Sequence, residues 1–263
     1  MREQSDSNNA YAEKVDATCR LLMEGVYNEP RAEVVEEALM KIALNPAVKR
    51  YLPSAGKEAK HLDQARKTGD PDVRENSLIT LYNSLHSAGA VYKKQEEKTL
   101  EAWEGLGCLP GGLLPLFVAR HFINSKSVTV DLGAGNGLQG LLIQALCPHR
   151  RTLLVEISEN LIETGRLYQQ ALGIPEGRIV WENGDIADTD LREVDLVYMY
   201  RPIRPKGKGN LLYSAVASKL AENNRSVIIV SIADCLGRFL DKSFKTIYSN
   251  DFVEIYRLQG GSR

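Results

Sequence analysis

Hydrophobic residues along the chain follow two different periodicities, and the change between them falls near residue 111. From about residue 10 to residue 105, apolar side chains recur at steps of three and four, as at Val15, Cys19 and Leu22. This spacing predicts amphipathic helices. No strand-like alternation occurs before about residue 127. The chain is therefore expected to have a helical accessory region over 1–110, followed by a second region over 111–263.

Within the helical region, two stretches are well defined and one is not. Asn28-Glu29-Pro30 precedes a periodic run and predicts a helix start, because proline suits the first turn. A second helical stretch is predicted over 73–103. The polar segment 54–71 between them is expected to be mostly loop. We expect the whole region to act as a lid or packing layer over the rest of the chain, or to shape a substrate site.

After Gly111-Gly112, short apolar runs of strand type alternate with helical runs. Strands separated by helices pair in parallel through right-handed crossovers, so the alternation predicts an α/β fold with a doubly wound sheet. The runs are Leu113–Phe122, Val128–Leu132, Leu138–Leu146, Thr152–Ile157, Leu161–Leu172, Arg178–Trp181, Asp195–Tyr200, Leu211–Leu220 and Ser226–Ile232.

The last two β-rich runs break this alternation. Only Ser249-Asn250-Asp251 separates Phe244–Tyr248 from Phe252–Leu258. A connection this short closes an antiparallel hairpin but cannot carry a crossover helix. One terminal strand is therefore predicted to run against the others.

Composition narrows the class of protein without naming a partner. Hydrophobic residues make up 43% of the 263 residues and charged residues 25%, which is typical of a folded globular chain. The net charge of −1 gives no global attraction to nucleic acid or to an anionic membrane. The N-terminus resembles no signal peptide, and no run approaches the roughly 18 apolar residues of a membrane span. A cytoplasmic protein without a membrane partner is expected.

Cysteine and histidine spacing gives no metal motif. The four cysteines lack any C-x-x-C pair and are expected to be reduced and mostly buried: Cys19, Cys108, Cys147 and Cys235. His149 follows Pro148 and is expected in a surface loop, and none of the four histidines is placed by sequence near a reaction centre. No metal ligand and no general base are predicted.

A glycine-rich turn follows the first strand of the second region. Its glycines allow backbone angles closed to other residues and a close approach of ligand to main chain. The acidic residue that opens it lies at the carboxyl end of a strand, where open parallel sheets bind ligands. The candidate cofactor-binding residues of the turn are Asp131, Gly133, Ala134, Gly135, Asn136 and Gly137.

Acidic residues also follow the next two strands. Glu156 ends the second strand, roughly 20 residues after the turn, where a carboxylate can accept hydrogen bonds from both hydroxyls of a ribose; Ile157 lies beside it. Asp185 follows the third strand and can accept a hydrogen bond from an adenine amino group, with Ile186 flanking the ring. These four residues complete the candidate cofactor site.

Taken in this order, the segment Val130–Gly137, Glu156 and Asp185 resembles the fingerprint of the class I S-adenosylmethionine-dependent methyltransferases. The resemblance covers roughly residues 111 to 258. It implies a seven-stranded, mostly parallel sheet with an antiparallel last strand. It also implies that Asp131 and the glycine backbone meet the methionine part of S-adenosylmethionine, that Glu156 meets its ribose, and that Asp185 meets its adenine.

Two alternatives remain beside a methyltransferase. The run Gly135–Gly140 satisfies G-x-G-x-x-G, which favours an NAD(P)-dependent oxidoreductase. Against it, Asp131 would face a pyrophosphate with a like charge, whereas S-adenosylmethionine carries a sulfonium and an ammonium. A non-catalytic S-adenosylmethionine-binding regulator is the second alternative. A phosphate loop is excluded, because the turn contains no Gly-Lys-Ser/Thr.

The candidate acceptor site follows the fourth strand, at Tyr200 and Arg201. Tyr200 could orient an acceptor or simply cap the sheet, and Arg201 could pair with a carboxylate or phosphate of the acceptor or form a salt bridge to a helix. Methyltransferases acting on base or glutamine amino groups often carry Asn/Asp-Pro-Pro-Tyr/Phe here, and Tyr200-Arg201-Pro202 departs from that motif. The basic loop 201–208 lacks interleaved aromatic residues that would stack bases, which favours a small-molecule acceptor over nucleic acid. The sequence names neither the acceptor nor the oligomeric state.

Overall fold

A seven-stranded sheet forms the centre of the computed structural model, which describes residues 2–90, 92–103, 110–223, 225–233 and 235–258. The strands are β1 (Val128–Leu132), β2 (Arg151–Glu156), β3 (Ile179–Asn183), β4 (Leu196–Tyr200), β5 (Ile228–Ile232), β6 (Phe244–Ser249) and β7 (Val253–Leu258). Their order across the sheet is β3-β2-β1-β4-β5-β7-β6. The pairs from β3 to β5 are parallel, and β7 is antiparallel to both of its neighbours.

This topology confirms the predicted doubly wound sheet with an antiparallel last strand. The reversal is set locally by the turn between β6 and β7. The side-chain oxygen of Asn250 accepts the backbone N–H groups of Phe252, at 2.9 Å, and of Val253, at 2.7 Å. An asparagine side chain that binds the backbone two or three residues ahead forms a tight turn.

Helices cover both faces of the sheet. The helices within the second region are α7 (Leu114–Ala119), α8 (Leu138–Leu146), α9 (Glu159–Leu172) and α10 (Gly209–Ala221). α7 and α8 belong to one hydrophobic cluster and α10 to the other, on the opposite face. Neighbouring residues of β1 face opposite sides: Val130 and Leu132 pack toward α10, and Asp131 faces the side of α8. This alternation lets one strand contribute both to the core and to a site.

The N-terminal part is helical, as predicted, but its loop prediction was wrong. It contains α1 (Arg2–Glu24), α2 (Ala32–Leu44), α3 (Pro46–Tyr51), α4 (Pro53–Thr68), α5 (Pro71–Ser87) and α6 (Lys94–Trp103). The segment 54–71, expected to be mostly loop, lies largely in α4. Its small apolar residues recur at helical spacing and are buried, as are Ala55, Ala59 and Leu62. Their low hydrophobicity hid a real periodicity.

Prolines set several of the helix boundaries. Pro46, Pro53 and Pro71 each occupy a first-turn position of a helix, where a missing N–H costs no hydrogen bond. Asn45 and Asp70 precede two of them and accept backbone N–H groups of the first turn as N-caps. The predicted single stretch 73–103 is two helices, α5 and α6, which are separated after Ser87, where Gly89 adopts φ +82°.

The helical region packs directly on the sheet region. α2 lies against α8 and α9, and α1 lies against α7 and β6. Residues of both regions join one hydrophobic cluster. The buried carboxylate of Glu29 pairs with Arg120 at 2.9 Å across the junction. The boundary near residue 110 remains a prediction, since the core is continuous across it.

Cysteine and histidine placement was predicted in part. Cys19 and Cys235 are buried free thiols and Cys147 is partly buried, whereas Cys108 lies outside the described residues. His149 is fully buried rather than in a surface loop, because its ring contacts the hydroxyls of Thr129, at 3.0 Å, and Thr152, at 2.8 Å. Within the described ranges, no helix combines the length and apolar character needed to span a membrane.

Candidate functional site

A deep cleft opens at the carboxyl ends of β1 to β4. It encloses about 960 Å³, its open mouth included, which suits a small-molecule ligand. Ten of the twelve predicted site residues line it: Asp131, Gly133, Ala134, Gly135, Glu156, Ile157, Asp185, Ile186, Tyr200 and Arg201. The fold thus brings residues that are up to 70 positions apart to one edge of the sheet.

The glycine turn needs its glycines for two separate reasons. Gly133 has φ +79°, and a Cβ there would lie 2.7 Å from the Pro202 side chain. Gly137 has φ +68° at the start of α8, where a Cβ would lie 2.4 Å from the Trp181 ring. The first glycine lets the turn meet the segment after β4 at the cleft. The second lets α8 pack closely beside β3, and Gly137 does not line the cleft.

Glu156 connects β2 to the glycine turn. Its Oε2 accepts the N–H of Gly135 at 2.9 Å, and its Oε1 accepts the N–H of Ser158 at 3.0 Å. Burial raises the pKa of Glu156, and the backbone hydrogen bonds oppose that shift. Each carboxylate oxygen has a further lone pair, so the side chain can hold the turn and still accept hydrogen bonds from a ligand.

Three buried polar atoms at the inner end of the cleft lack a hydrogen-bond partner among the described residues: Asp131 Oδ2, Gln139 Oε1 and Tyr198 Oη. All three side chains line the cleft. The Nε2 amide of Gln139 donates to the Tyr82 hydroxyl and, at 2.8 Å, to the Gly112 carbonyl, and these two hydrogen bonds orient the side chain. Buried polar atoms of this kind are costly unless a partner satisfies them. The inner end of the cleft therefore suits a ligand group that donates several hydrogen bonds.

The pKa of Asp131 agrees with this lack of hydrogen-bond partners. Burial, reinforced by the nearby Glu156, raises the pKa of Asp131 to about 7. A second negative charge in a low-dielectric pocket is unfavourable, so a proton or a cationic ligand stabilises the pair. Asp131 and Glu156 together make the inner wall acidic, which favours a cationic ligand over an anionic one.

Asp185 lies at the end of β3, as predicted, and also caps a short helical turn. Its Oδ1 accepts the N–H of Ala187 at 2.8 Å. The other carboxylate oxygen accepts no hydrogen bond from the part of the chain that the structure describes. Gly184 and Ile186 line the cleft on either side of it. One oxygen of Asp185 thus holds the loop, and the other is available at the cleft.

Asn136, predicted as a cofactor residue, binds the helical region and does not line the cleft. Its side chain is fully buried, and Nδ2 lies 2.8 to 3.0 Å from the carbonyls of Leu85, His86 and Ala88. These carbonyls lie at the end of α5, where the helix supplies few N–H partners and the N–H of Ala88 donates to Leu85. Asn136 therefore fixes the end of α5 against the glycine turn.

The outer wall of the cleft follows β4. Arg201 adopts φ +34°, a conformation that is unfavourable for a residue with a side chain. Its side chain is exposed, and no described carboxylate lies within ion-pair distance of its guanidinium. Non-glycine residues held in such backbone conformations cluster at functional sites. Tyr200 and Pro202 line the cleft on either side of it.

The helical region closes the cleft from the other side with residues that the sequence did not point to: His86, Tyr92, Thr99 and Leu100. α6 is tied to the loop after β2, because Glu96 accepts the N–H of Glu159 at 2.9 Å and the hydroxyl of Ser158 at 3.3 Å. Burial lowers the pKa of His86 to about 4, so its imidazole is neutral at physiological pH. The site is therefore composite, with walls from both regions.

Two of the residues that sequence reasoning missed had a signal. Gln139 is a polar residue on the otherwise apolar face of α8, and Tyr198 carries a hydroxyl group within the buried strand β4. A buried polar group inside an apolar run indicates a specific partner. His86, Thr99 and Leu100 had no such signal, since their position depends on how the helical region packs.

Similarity to known proteins is limited to solved structures. No family model matches the chain, and no curated protein is similar to it. An RNA methyltransferase from Salinibacter ruber, solved with S-adenosyl-L-homocysteine, is 19% identical over 56% of this chain and 89% of its own, with a TM-score of 0.44. A putative RNA methyltransferase from Pyrococcus horikoshii is 23% identical over 57% and 82%, with a TM-score of 0.42.

A geranyl diphosphate C-methyltransferase from Streptomyces coelicolor is 13% identical over 52% of this chain and 44% of its own, with a TM-score of 0.36. These similar structures include enzymes named for RNA and for a small molecule. Identities and TM-scores this low leave function to be argued from the residues of the cleft.

Proposed function

We propose that this chain is a class I S-adenosylmethionine-dependent methyltransferase acting on a small molecule. The observation that carries the proposal is the unpaired oxygen of Asp131, buried beside Glu156 at the foot of a glycine turn. A pocket with two neighbouring carboxylates favours a cationic ligand. S-adenosylmethionine brings a sulfonium and an ammonium to such a pocket.

The residues of the cleft fit the parts of this cofactor. Its ammonium has three N–H donors, which match the unpaired atoms of Asp131, Gln139 and Tyr198. The free lone pairs of Glu156 suit the ribose hydroxyls, and the free oxygen of Asp185 suits the adenine amino group. Ile157 and Ile186 line the cleft on either side of these carboxylates and would contact the adenine ring.

When bound, the cofactor would supply an activated methyl group, and the protein has to align an acceptor with it and exclude water. Tyr200, Arg201 and Pro202 would position the acceptor from the outer wall. His86, Thr99 and Leu100 would shield it from solvent on the other side.

An NAD(P)-dependent oxidoreductase fits the same cleft poorly. In dinucleotide-binding sheets, backbone N–H groups of the glycine motif meet the pyrophosphate. Here the N–H of Gly135 donates to Glu156 instead. A pyrophosphate placed there would meet the carboxylates of Asp131 and Glu156. Arg201, the cation among the described residues of the cleft lining, lies at the far wall.

Isothermal titration against S-adenosylmethionine, S-adenosylhomocysteine and NAD tests this proposal. We expect the first two to bind and NAD to give no heat. Tight binding of NAD with no response to the other two would overturn it.

A cofactor-binding regulator would also bind both adenosyl compounds, so binding alone does not establish catalysis. Incubation of the protein and a cell extract with S-adenosylmethionine labelled in its methyl group separates the two. We expect label in an acceptor only when the protein is present. Binding without any transferred label would favour the regulator.

A further inference from the structure

Building on the proposed function, we infer that the methyl acceptor is a small, negatively charged molecule with an apolar body, held through its anionic group by Arg201. The part of the acceptor that is methylated lies apart from the anionic group. The inference rests on three features of the cleft: the state of Arg201, the distribution of charge around the mouth, and the apolar walls between them.

Arg201 differs from an arginine with a structural role in its backbone conformation and in its lack of an ion-pair partner among the described residues. Its backbone adopts φ +34° directly after β4, and its backbone N–H donates a hydrogen bond to the Cys235 sulfur. Arg201 lines the cleft, and its guanidinium has no carboxylate partner among the described residues. A planar guanidinium at the end of a rigid strand suits bidentate binding of a carboxylate or phosphate. The backbone of Arg201, directly after β4, anchors this side chain at the cleft.

Positive charge is concentrated in the segment that follows Arg201, just outside the cleft lining. Arg204, Lys206 and Lys208 follow Arg201 and are exposed. Arg238 donates to Asn210, in the first turn of α10 after this segment, at 2.8 Å. None of the first three forms an ion pair with a residue that the structure describes.

The opposite wall does not continue this positive surface. α6 carries two lysines, Lys94 and Lys98, against three glutamates, so its net charge is −1. A nucleic acid needs a positively charged groove that follows its backbone, with aromatic side chains on which bases stack. A positive patch limited to one side of a narrow cleft instead suits a single anionic group.

The walls between Arg201 and the cofactor site are largely apolar. Leu100, Ile203 and Leu212 line the cleft there together with the ring of Tyr200. Apolar walls with one charged anchor are typical of sites that orient a small molecule by its polar end. The acceptor body would lie against these side chains, and its far end would point toward the transferred methyl group.

This arrangement specifies the chemistry of transfer. A lone pair of the acceptor forms the new bond to the methyl carbon, the bond from that carbon to sulfur breaks, and its electron pair goes to sulfur. A proton on the acceptor atom is released to water. The anionic group bound by Arg201 takes no part, so the methylated product is still negatively charged.

The test uses the full chain with S-adenosylmethionine labelled in its methyl group and an extract of the cells that produce the protein. The extract is separated into low-molecular-weight metabolites, RNA and protein. We expect label in the metabolite fraction, in a product retained on an anion exchanger at pH 7.

Variants then test the role of Arg201. For Arg201→Gln we expect the apparent KM for the metabolite fraction to rise roughly 10- to 100-fold, the range for loss of a charge-assisted pair, with kcat changed less than about threefold. Arg201→Lys keeps the charge but not the planar fork, so its KM should be intermediate. Arg192→Gln removes an exposed arginine paired with Asp190 and serves as the matched control with wild-type KM.

Titration with S-adenosylhomocysteine separates the two levels of the inference. Arg201→Gln should bind it as the wild type does, which also shows that the variant is folded. Label in RNA or protein that appears only when the chain is added, an unretained product, or an unchanged KM in Arg201→Gln would overturn the acceptor class alone. A wild-type protein that binds neither adenosyl compound, or binds them and transfers no label, would overturn the proposed function and the acceptor class with it.

Discussion

The inner and outer walls of the cleft differ in charge, in origin and in how rigidly they are built. The inner wall is acidic, comes from β1, β2 and the turn after β1, and is fixed by backbone hydrogen bonds to Glu156. The outer wall is basic and comes from the loop after β4. Helices of the N-terminal region close the cleft beside it.

The difference shows that the two ends of one cleft suit ligands of opposite charge. A carboxylate pair buried at one end favours a cationic ligand, and the exposed Arg201 at the other favours an anionic one. Cofactor and acceptor are thereby directed to opposite ends, with the apolar walls between them. Variants of the inner wall should alter cofactor binding, and variants of the outer wall should alter only the acceptor.

The largest expected effect is on the inner wall, from Glu156→Ala. The change removes the ribose acceptor and leaves the N–H groups of Gly135 and Ser158 without their partner. We expect affinity for S-adenosylhomocysteine to fall by about 3 kcal/mol, or more than a hundredfold, measured by isothermal titration. Glu163→Ala, at an exposed position on α9, is the control and should bind normally. Wild-type affinity in Glu156→Ala would mean that the cofactor lies elsewhere.

A smaller effect, with a defined pH dependence, is expected from Asp131→Asn. The pKa of Asp131 is raised to about 7 in the folded, ligand-free protein. The ammonium of S-adenosylhomocysteine binds the ionised carboxylate. The affinity of the wild type for this ligand, measured by isothermal titration, should therefore fall as the pH drops below 7. The variant should bind about tenfold more weakly at pH 8 and show little change between pH 5.5 and 8. His86, with its pKa of about 4, stays neutral over this range.

The same variant should change stability in the opposite direction. A carboxyl whose folded pKa lies above its unfolded value destabilises the fold as the pH rises from about 4 to 7, because the unfolded chain ionises first. Without ligand, Asp131→Asn should therefore be more stable than the wild type at pH 8 by about 2 kcal/mol. The gain should shrink toward pH 5. Urea unfolding at both pH values measures it, and a variant less stable at pH 8 would contradict the burial argument.

The smallest effect is expected on the outer wall, from the triple variant Arg204→Gln, Lys206→Gln and Lys208→Gln. These side chains are exposed, so salt screens their attraction for an anion. We expect kcat/KM for the acceptor to fall by less than about threefold at 0.15 M salt and by more at 0.01 M. A loss as large as that of Arg201→Gln at 0.15 M would mean that the loop, rather than one arginine, binds the acceptor.

Much of the inner wall could be predicted from sequence, because its residues are tied to strand ends. Asp131, Glu156 and Asp185 each follow a short apolar run, and the ends of neighbouring parallel strands meet at one edge. Asn136 was assigned to the cofactor on the same ground but binds the end of α5. Sequence position near a turn does not fix which way a side chain points.

By itself, the sequence determined the alternation of strands and helices, the terminal hairpin and the order of acidic residues along the sheet edge. These depend on local periodicity and on loop length, which act within a few residues. Only the tertiary structure decided that His86, Thr99 and Leu100 close the cleft and that Gln139 and Tyr198, like Asp131, line it with unpaired buried atoms. Such contacts depend on how the helices pack on the sheet, and burial then sets the pKa of Asp131. Neither is encoded in any short stretch of the chain.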